Sequence, residues 1–144
     1  MIRQAEKTDI SLLAGLAVQL WPAHTVSELE NEFENIMRSG DAAFFILFDD
    51  GKPAGFAQCQ LRRDYVEGAQ SSPVGYLEGI FVAENYRKKG YGKQLLNKCE
   101  EWARTKGCLE FAGDCEYQNA AGFDFHIKNG FNEANRIICF IKKL

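Results

Sequence analysis

Apolar positions along the chain alternate between helical and strand-like spacing. Leu12, Leu13, Leu16 and Leu20 recur as one face of a helix, after a possible short strand over residues 2–5. Thr8 or Asp9 can cap that helix, because a side-chain oxygen accepts from a free backbone N–H. Pro22 stops it. "HTVSELENEFENIMRSG" starts again: Thr25 with Glu28, or Ser27 with Glu30, makes a capping box. Val26, Leu29, Phe33 and Ile36 face one way, and Gly40 closes the segment.

The middle of the chain turns to strands. "AAFFILF" is predicted as a buried strand, "DDGK" as a hairpin turn, and "PAGFAQCQLR" as the returning strand. A polar loop runs from Arg63 to Pro73. "VGYLEGIFV" (74–82) is a further buried strand in which Glu78 and Gly79 are the odd members. Gly92 to Lys106 is predicted helical, with Leu95, Leu96, Cys99 and Trp102 on one face and Gly107 as its stop. "CLEFAGD" is a strand, Asn119 to Lys128 a short helix ended by Gly130, and "NRIICFIKKL" a last strand. The order βααβββαβαβ predicts an α+β fold over a single domain, residues 1–144.

Composition narrows the partners. The 144 residues carry a net charge of -3, which argues against a general nucleic-acid binder and suits a cationic partner. The longest apolar runs are too short to span a bilayer. "MIRQAEKTDI" has charges throughout and does not resemble a signal peptide. The five cysteines show no C-x-x-C spacing and there are only two histidines, so no metal site is expected. Small core cysteines in a reducing compartment, the cytoplasm, are the expectation.

The stretch "GIFVAENYRKKGYGKQLL" joins a strand to a helix through a basic turn. Arg87, Lys88, Lys89 and Lys93 surround Gly90 and Gly92. Free N–H groups and the helix dipole at such a junction attract a phosphate. A P-loop fails, because Gly92-Lys93 is followed by Gln94. A dinucleotide fingerprint fails, because Leu95 stands where its third glycine belongs. The plain alternative is a solvated basic turn.

The pattern present is R-x-x-G-x-G, Arg87 to Gly92, between an apolar strand and a helix. This is similar to the acetyl-CoA pyrophosphate loop of the GNAT superfamily of N-acetyltransferases. "QLWPAH", "RRDYVEG", "SSP", "LEGIFV", "GDCEYQN" and the terminal "GF…R" follow in the order seen in aminoglycoside 6'-N-acetyltransferases. The resemblance covers nearly the whole chain. It implies a mixed central sheet splayed near residues 74–82 and 108–114 and flanked by about four helices. It implies acetyl transfer from acetyl-CoA, without a metal, to the 6'-amino group of a polycationic aminoglycoside, which gives antibiotic resistance. It also implies a homodimer, for which the apolar "IICFI" offers an edge.

Roles follow from the resemblance. Ile80, Phe81 and Val82 would pair through backbone with the pantetheine of the cofactor, with Gly79 as a bulge and the N–H of Val82 as oxyanion donor. Arg87, Lys88, Lys89, Gly90, Tyr91, Gly92 and Lys93 would hold the pyrophosphate, and Asn119 would touch the cofactor. Glu78 is the candidate proton acceptor; a carboxylate in an apolar strand is costly unless paired, and a structural salt bridge with an arginine is the alternative. Asp114 would anchor ammonium groups, or else cap the next helix. Trp21, His24 and Tyr65 match substrate-side positions; Trp21 could equally be core and His24 a helix-start residue. Capping is the alternative for Asn119.

Two positions depart from the family pattern. His126 stands where many GNAT enzymes place a tyrosine as the acid for the thiolate. Asn135 stands where related enzymes can carry a substrate-reading glutamate. Competing readings are a GNAT enzyme for another polyamine or a protein amine, and a CoA-binding module without turnover. Glu28, Glu30, Glu32 and Glu34 could line the acceptor side, or simply form a solvated helix face.

Overall fold

The computed structural model describes residues 1–144. Its elements are β1 (Ile2–Gln4), α1 (Ile10–Leu20), α2 (Val26–Ser39), β2 (Ala42–Asp49), β3 (Lys52–Arg62), β4 (Val74–Val82), α3 (Tyr91–Thr105), β5 (Phe111–Gly113) and α4 (Ala120–Lys128). One sheet holds the strands in the order β1-β2-β3-β4-β5. The first three pairings are antiparallel and β4 with β5 is parallel, so the sheet is mixed, as expected.

Alternation within the strands splits the core in two. Ala43, Phe45 and Leu47 of β2 join Leu95, Leu96, Cys99 and Trp102 of α3 on one face. Phe44 and Ile46 join Leu13, Leu16, Leu29 and Phe33 of α1 and α2 on the other. Two buried leucines side by side fasten α3, each worth about 1.5–3 kcal/mol of apolar burial.

Helix ends obey local chemistry. Of the two capping boxes the sequence allows, Thr25 with Glu28 forms: Thr25 Oγ1 accepts from the Glu28 N–H at 3.1 Å. Gly40 ends α2 at φ +72°, in the left-handed region. Asp9 makes no side-chain cap on α1. It closes a 3-10 turn over Lys7–Asp9 by accepting from the Glu6 N–H, and both its oxygens accept from Arg3.

The last strand predicted from "NRIICFIKKL" does not form: residues 131–144 have neither helix nor strand. A strand needs a neighbour for its amides and cover for its apolar face. This segment pairs with no strand and its apolar face is uncovered: Ile138 and Ile141 stand 80% and 99% exposed. β5 keeps a bare outer edge in consequence.

Candidate active site

The site begins with an irregularity in β4. Gln58 faces Gly79 and Cys59 faces Leu77, so Glu78 is an extra residue with no partner across the ladder. The bulge sits on Glu78, not on Gly79 as the sequence suggested. It changes the phase of the strand. Leu77 and Ile80 both pack toward the α3 core, while Phe81 packs toward α1 and α2. Gly79 is needed for a different reason. A Cβ there would lie 2.6 Å from the Trp21 indole, which closes down on the strand.

Glu78 is half-buried and bound to Arg62, the last residue of β3. Arg62 Nε donates to Oε1 and Nη2 to Oε2, each at 3.0 Å. The arginine salt bridge that stood as the alternative for this carboxylate is therefore present. The Arg62 guanidinium also lies over the Tyr76 ring, 3.4 Å from its centroid. The Tyr76 hydroxyl donates to Asp114 just beyond β5. Asp114 makes this bond instead of capping a helix. Burial pushes the Glu78 carboxyl above its ordinary value; Arg62 pulls it back and Asp114 adds to the rise. Burial, followed by the Asp114 bond, pushes the Tyr76 hydroxyl up, so it stays protonated.

Beside this group the sheet opens. β4 meets β5 only from Gly75 to Leu77, against Phe111 to Gly113. The Ala83 N–H donates to the Ala54 carbonyl at 2.8 Å. Antiparallel alternation then turns the peptide groups of Val82 and Ile80 away from β3, toward the gap. Phe81 points its peptide back to β3. Of the three residues expected to offer backbone there, Ile80 and Val82 do and Phe81 does not. The Val82 carbonyl accepts from Arg87 Nε at 2.8 Å, which leaves its N–H for another acceptor.

The basic turn follows directly. Lys88 adopts φ +64° and Gly90 φ +78°, and Gly90 is the N-cap of α3. Gln94 N–H is bonded to the Gly90 carbonyl, so the amides of Tyr91, Gly92 and Lys93 lie in the unpaired first turn. Open space surrounds Gly90, where a Cβ would meet nothing within 4 Å. Gly92 is different: a Cβ there would lie 3.0 Å from the Phe125 ring of α4. Its lack of a side chain also makes room for the packing of α4. Lys89 is held by Asp49 at 3.2 Å. The helix start and Arg87 nonetheless fit a diphosphate, by dipole, free amides and charge.

α4 packs behind the gap. Asn119 caps it, its Oδ1 accepting from the Gly122 N–H at 2.9 Å. His126 Nδ1 lies 2.6 Å from the Gly122 carbonyl. A carbonyl only accepts, so Nδ1 carries the hydrogen. Nε2 of the neutral ring is an acceptor, buried with no partner, against Gly113.

The remaining candidates lie further out. Trp21 packs edge-on against Phe33 and Phe56, so it is core as well as neighbour of the bulge. His24 Nδ1 sits 3.4 Å from Glu28 at the start of α2. Tyr65 and Asn135 both donate to Glu67, each at 3.2 Å, which ties the polar loop to the C-terminal segment. Arg62, Tyr76 and Glu67 were not singled out from the sequence. Arg62 and Glu67 stood inside the quoted "RRDYVEG", and Tyr76 two residues before Glu78 on the same strand.

Comparison with known proteins agrees with this architecture. The model of the acetyltransferase (GNAT) family matches residues 11–131. An aminoglycoside N(6')-acetyltransferase type 1 of Salmonella enteritidis is 40% identical over 142 residues, 99% of this chain and 98% of that protein. The structure of AAC(6')-Iy with a bisubstrate analogue, CoA-S-monomethyl-acetylneamine, superposes with a TM-score of 0.95 at 40% identity, covering 100% of this chain and 98% of that one. An aminoglycoside 6'-N-acetyltransferase, AAC(6')-Ih of Acinetobacter baumannii, gives 0.90 at 31% identity, covering 100% and 98%. The family match spans most of the chain and the likeness to these enzymes runs along its full length, so the chain belongs to the GNAT acetyltransferase family.

Proposed function

We propose that this protein transfers the acetyl group of acetyl-CoA to the 6'-amino group of aminoglycoside antibiotics, and so confers resistance to them. The observation that carries the reading is Glu78, a half-buried carboxylate on a bulge, with Asp114 beside it and an open strand edge next to it. The full-length similarity to enzymes of that activity supports it.

Acetyl-CoA supplies the thioester. The Val82 N–H and the Ile80 peptide offer hydrogen bonds to its pantetheine arm. Arg87, Lys88, Lys93 and the amides of Tyr91 and Gly92 offer charge and donors to its diphosphate, and Asn119 lines the same side. An aliphatic amine is mostly protonated at neutral pH and cannot attack in that form. Glu78 takes its proton, directly or through a water. The Val82 N–H is the donor for the oxyanion. Asp114 attracts the drug's ammonium groups, and Trp21, His24, Tyr65 and Asn135 border the acceptor side. CoA leaves as a thiolate that must gain a proton; His126 can supply it only from a protonated ring, and otherwise the proton comes from solvent.

The direct test is to incubate the protein with kanamycin and acetyl-CoA and weigh the product. One added acetyl group with acetyl-CoA consumed is expected. A bound but unconsumed cofactor would overturn the enzymatic reading, and turnover only with other amines would overturn the substrate.

The working unit we infer is a homodimer. Phe140 is 91% exposed in a tail whose apolar residues Ile137, Ile138 and Ile141 are also uncovered. A second copy, offering the bare edge of β5, would cover them. Light scattering should give a dimer for the full chain and a monomer for one ending at Glu133; a monomeric full chain would overturn this. No helix is long and apolar enough to cross a membrane. The cytoplasm, where acetyl-CoA is made, is the compartment we infer, and cell fractionation checks it.

A further inference from the structure

Arg62 is out of place in a cleft built for cations. It brings a permanent positive charge to the side where the drug's ammonium groups must enter. It is not needed to fasten β3 to β4, because the two strands are already laddered from Gly55 to Arg62. Yet it is held with care. Both oxygens of Glu78 accept from it at 3.0 Å, and its flat face rests on Tyr76, whose hydroxyl in turn holds Asp114. Glu78 and Asp114 are thus joined through one guanidinium and one phenol.

The reaction explains why a cation belongs there. Two bare carboxylates beside an amine favour its charged form, which is the unreactive one. Arg62 offsets one of the two, and the four side chains together keep a single net negative charge. That is enough to attract an ammonium group without fixing it in that state. We propose that Arg62 is a positioning residue for acetyl transfer: it aims Glu78 by both oxygens and balances the cleft so that the bound amine can give up its proton. This rests on the reading of Glu78 as the proton acceptor.

The charged and titratable groups facing Glu78 are few. Arg62 comes from β3, Tyr76 from β4 and Asp114 from beyond β5, while the side chains nearest the adjacent Gly79 are the apolar Trp21 and Leu20 at the end of α1. Of these, Arg62 alone favours the carboxylate form. Without it, both the Glu78 carboxyl and the bound amine hold their protons to higher pH.

The experiment compares Arg62→Gln and Arg62→Lys with the unsubstituted protein, reading kcat and KM for kanamycin and acetyl-CoA across pH, with thermal melts as the folding check. In Arg62→Gln the acid limb of kcat/KM is expected to move up by roughly 1 pH unit or more. At neutral pH the kanamycin KM should fall and kcat should fall with it, kcat recovering as pH rises. Acetyl-CoA KM should not move. Arg62→Lys keeps the charge and loses the fork, so its limb should stay in place with slower turnover. A folded Arg62→Gln enzyme with an unmoved limb overturns the proposal, as does an equal shift in both variants. Should the glutamine variant not fold, a moved limb in Arg62→Lys overturns it and an unmoved one supports it. If Glu78→Gln itself keeps full activity, the underlying reading has failed. If Glu78→Gln loses activity while Arg62→Gln leaves the limb unmoved, only the role of Arg62 has failed.

Discussion

Trp21 and Gly79 are in contact so close that no other residue fits at position 79: a Cβ would fall 2.6 Å from Cζ2 and 2.7 Å from Cη2 of the indole. The contact links the end of α1 to the residue after the bulge. Gly79→Ala must push either the ring or β4 aside, at a cost of about 1–3 kcal/mol. Denaturant unfolding should show that loss. The kcat for an aminoglycoside should fall as well, because Glu78 is the neighbouring residue, while stability alone should change if the bulge stays put.

Glu78→Gln keeps the shape of the side chain and removes its charge. If Glu78 takes the proton, kcat/KM should fall by about 10²–10⁴-fold. The raised carboxyl sets the sign of the pH effect. Activity in the unsubstituted protein should fail on the acid side above the ordinary glutamate range, and that limb should vanish from what activity the variant keeps. A rise in KM with kcat intact would assign Glu78 to ammonium binding instead.

Asp114→Asn and Tyr76→Phe separate two effects. The first removes a charge and should raise aminoglycoside KM more than acetyl-CoA KM. The second leaves Asp114 charged but unheld, and should raise KM less. Salt titration discriminates further: added salt should weaken drug binding by the unsubstituted protein and by Tyr76→Phe, but less so by Asp114→Asn.

Gly92→Ala tests packing against anion approach. The added methyl meets the Phe125 ring at 3.0 Å, so that ring must yield by a few tenths of an ångström. A drop in melting temperature is expected, and Phe125→Leu combined with Gly92→Ala should recover part of it. If acetyl-CoA affinity falls while stability does not, the glycine serves the ligand after all.

Asp9 tests a part of the fold far from the chemistry. Hydrogen bonding to Arg3 lowers its carboxyl to about 2. A lowered carboxyl contributes stability above its unfolded value near 3.8, and the contribution is lost as pH falls toward about 2. Asp9→Asn should cost about 1 kcal/mol at neutral pH, given the exposure of Arg3. The difference from the unsubstituted protein should disappear in acid, as followed by urea unfolding at several pH values.

Much of this could be seen in the residues. Leucine spacing, the Thr25–Glu28 box and the Arg87–Gly92 turn gave α1, α2 and the start of α3, because each is decided within a few neighbouring positions. Glu78 stood out as a charge in an apolar strand. What failed to show were contacts across strands. The ion pair of Glu78 spans 16 residues to Arg62, and the Tyr76–Asp114 bond spans 38. No local period records such distances. The final strand failed for the opposite reason: its local pattern was sound, but a strand also needs a neighbour, and a pattern of apolar residues does not say whether one will pair with it.

The bulge at Glu78 also bears on how such a chain can vary over time. Substitution changes what the cleft carries at that point and leaves the strand otherwise alone. Deletion of one codon there would do something else: because Glu78 has no partner across the ladder, every other pair of β3 with β4 would stay in register and the bulge itself would vanish. Ile80 and Phe81 would keep their cores and the peptide groups their directions, while the cleft lost its carboxylate and the ion pair to Arg62. The ladder on either side sets no demand for a residue at position 78, so what keeps one there is the cleft it reaches and not the count of the strand.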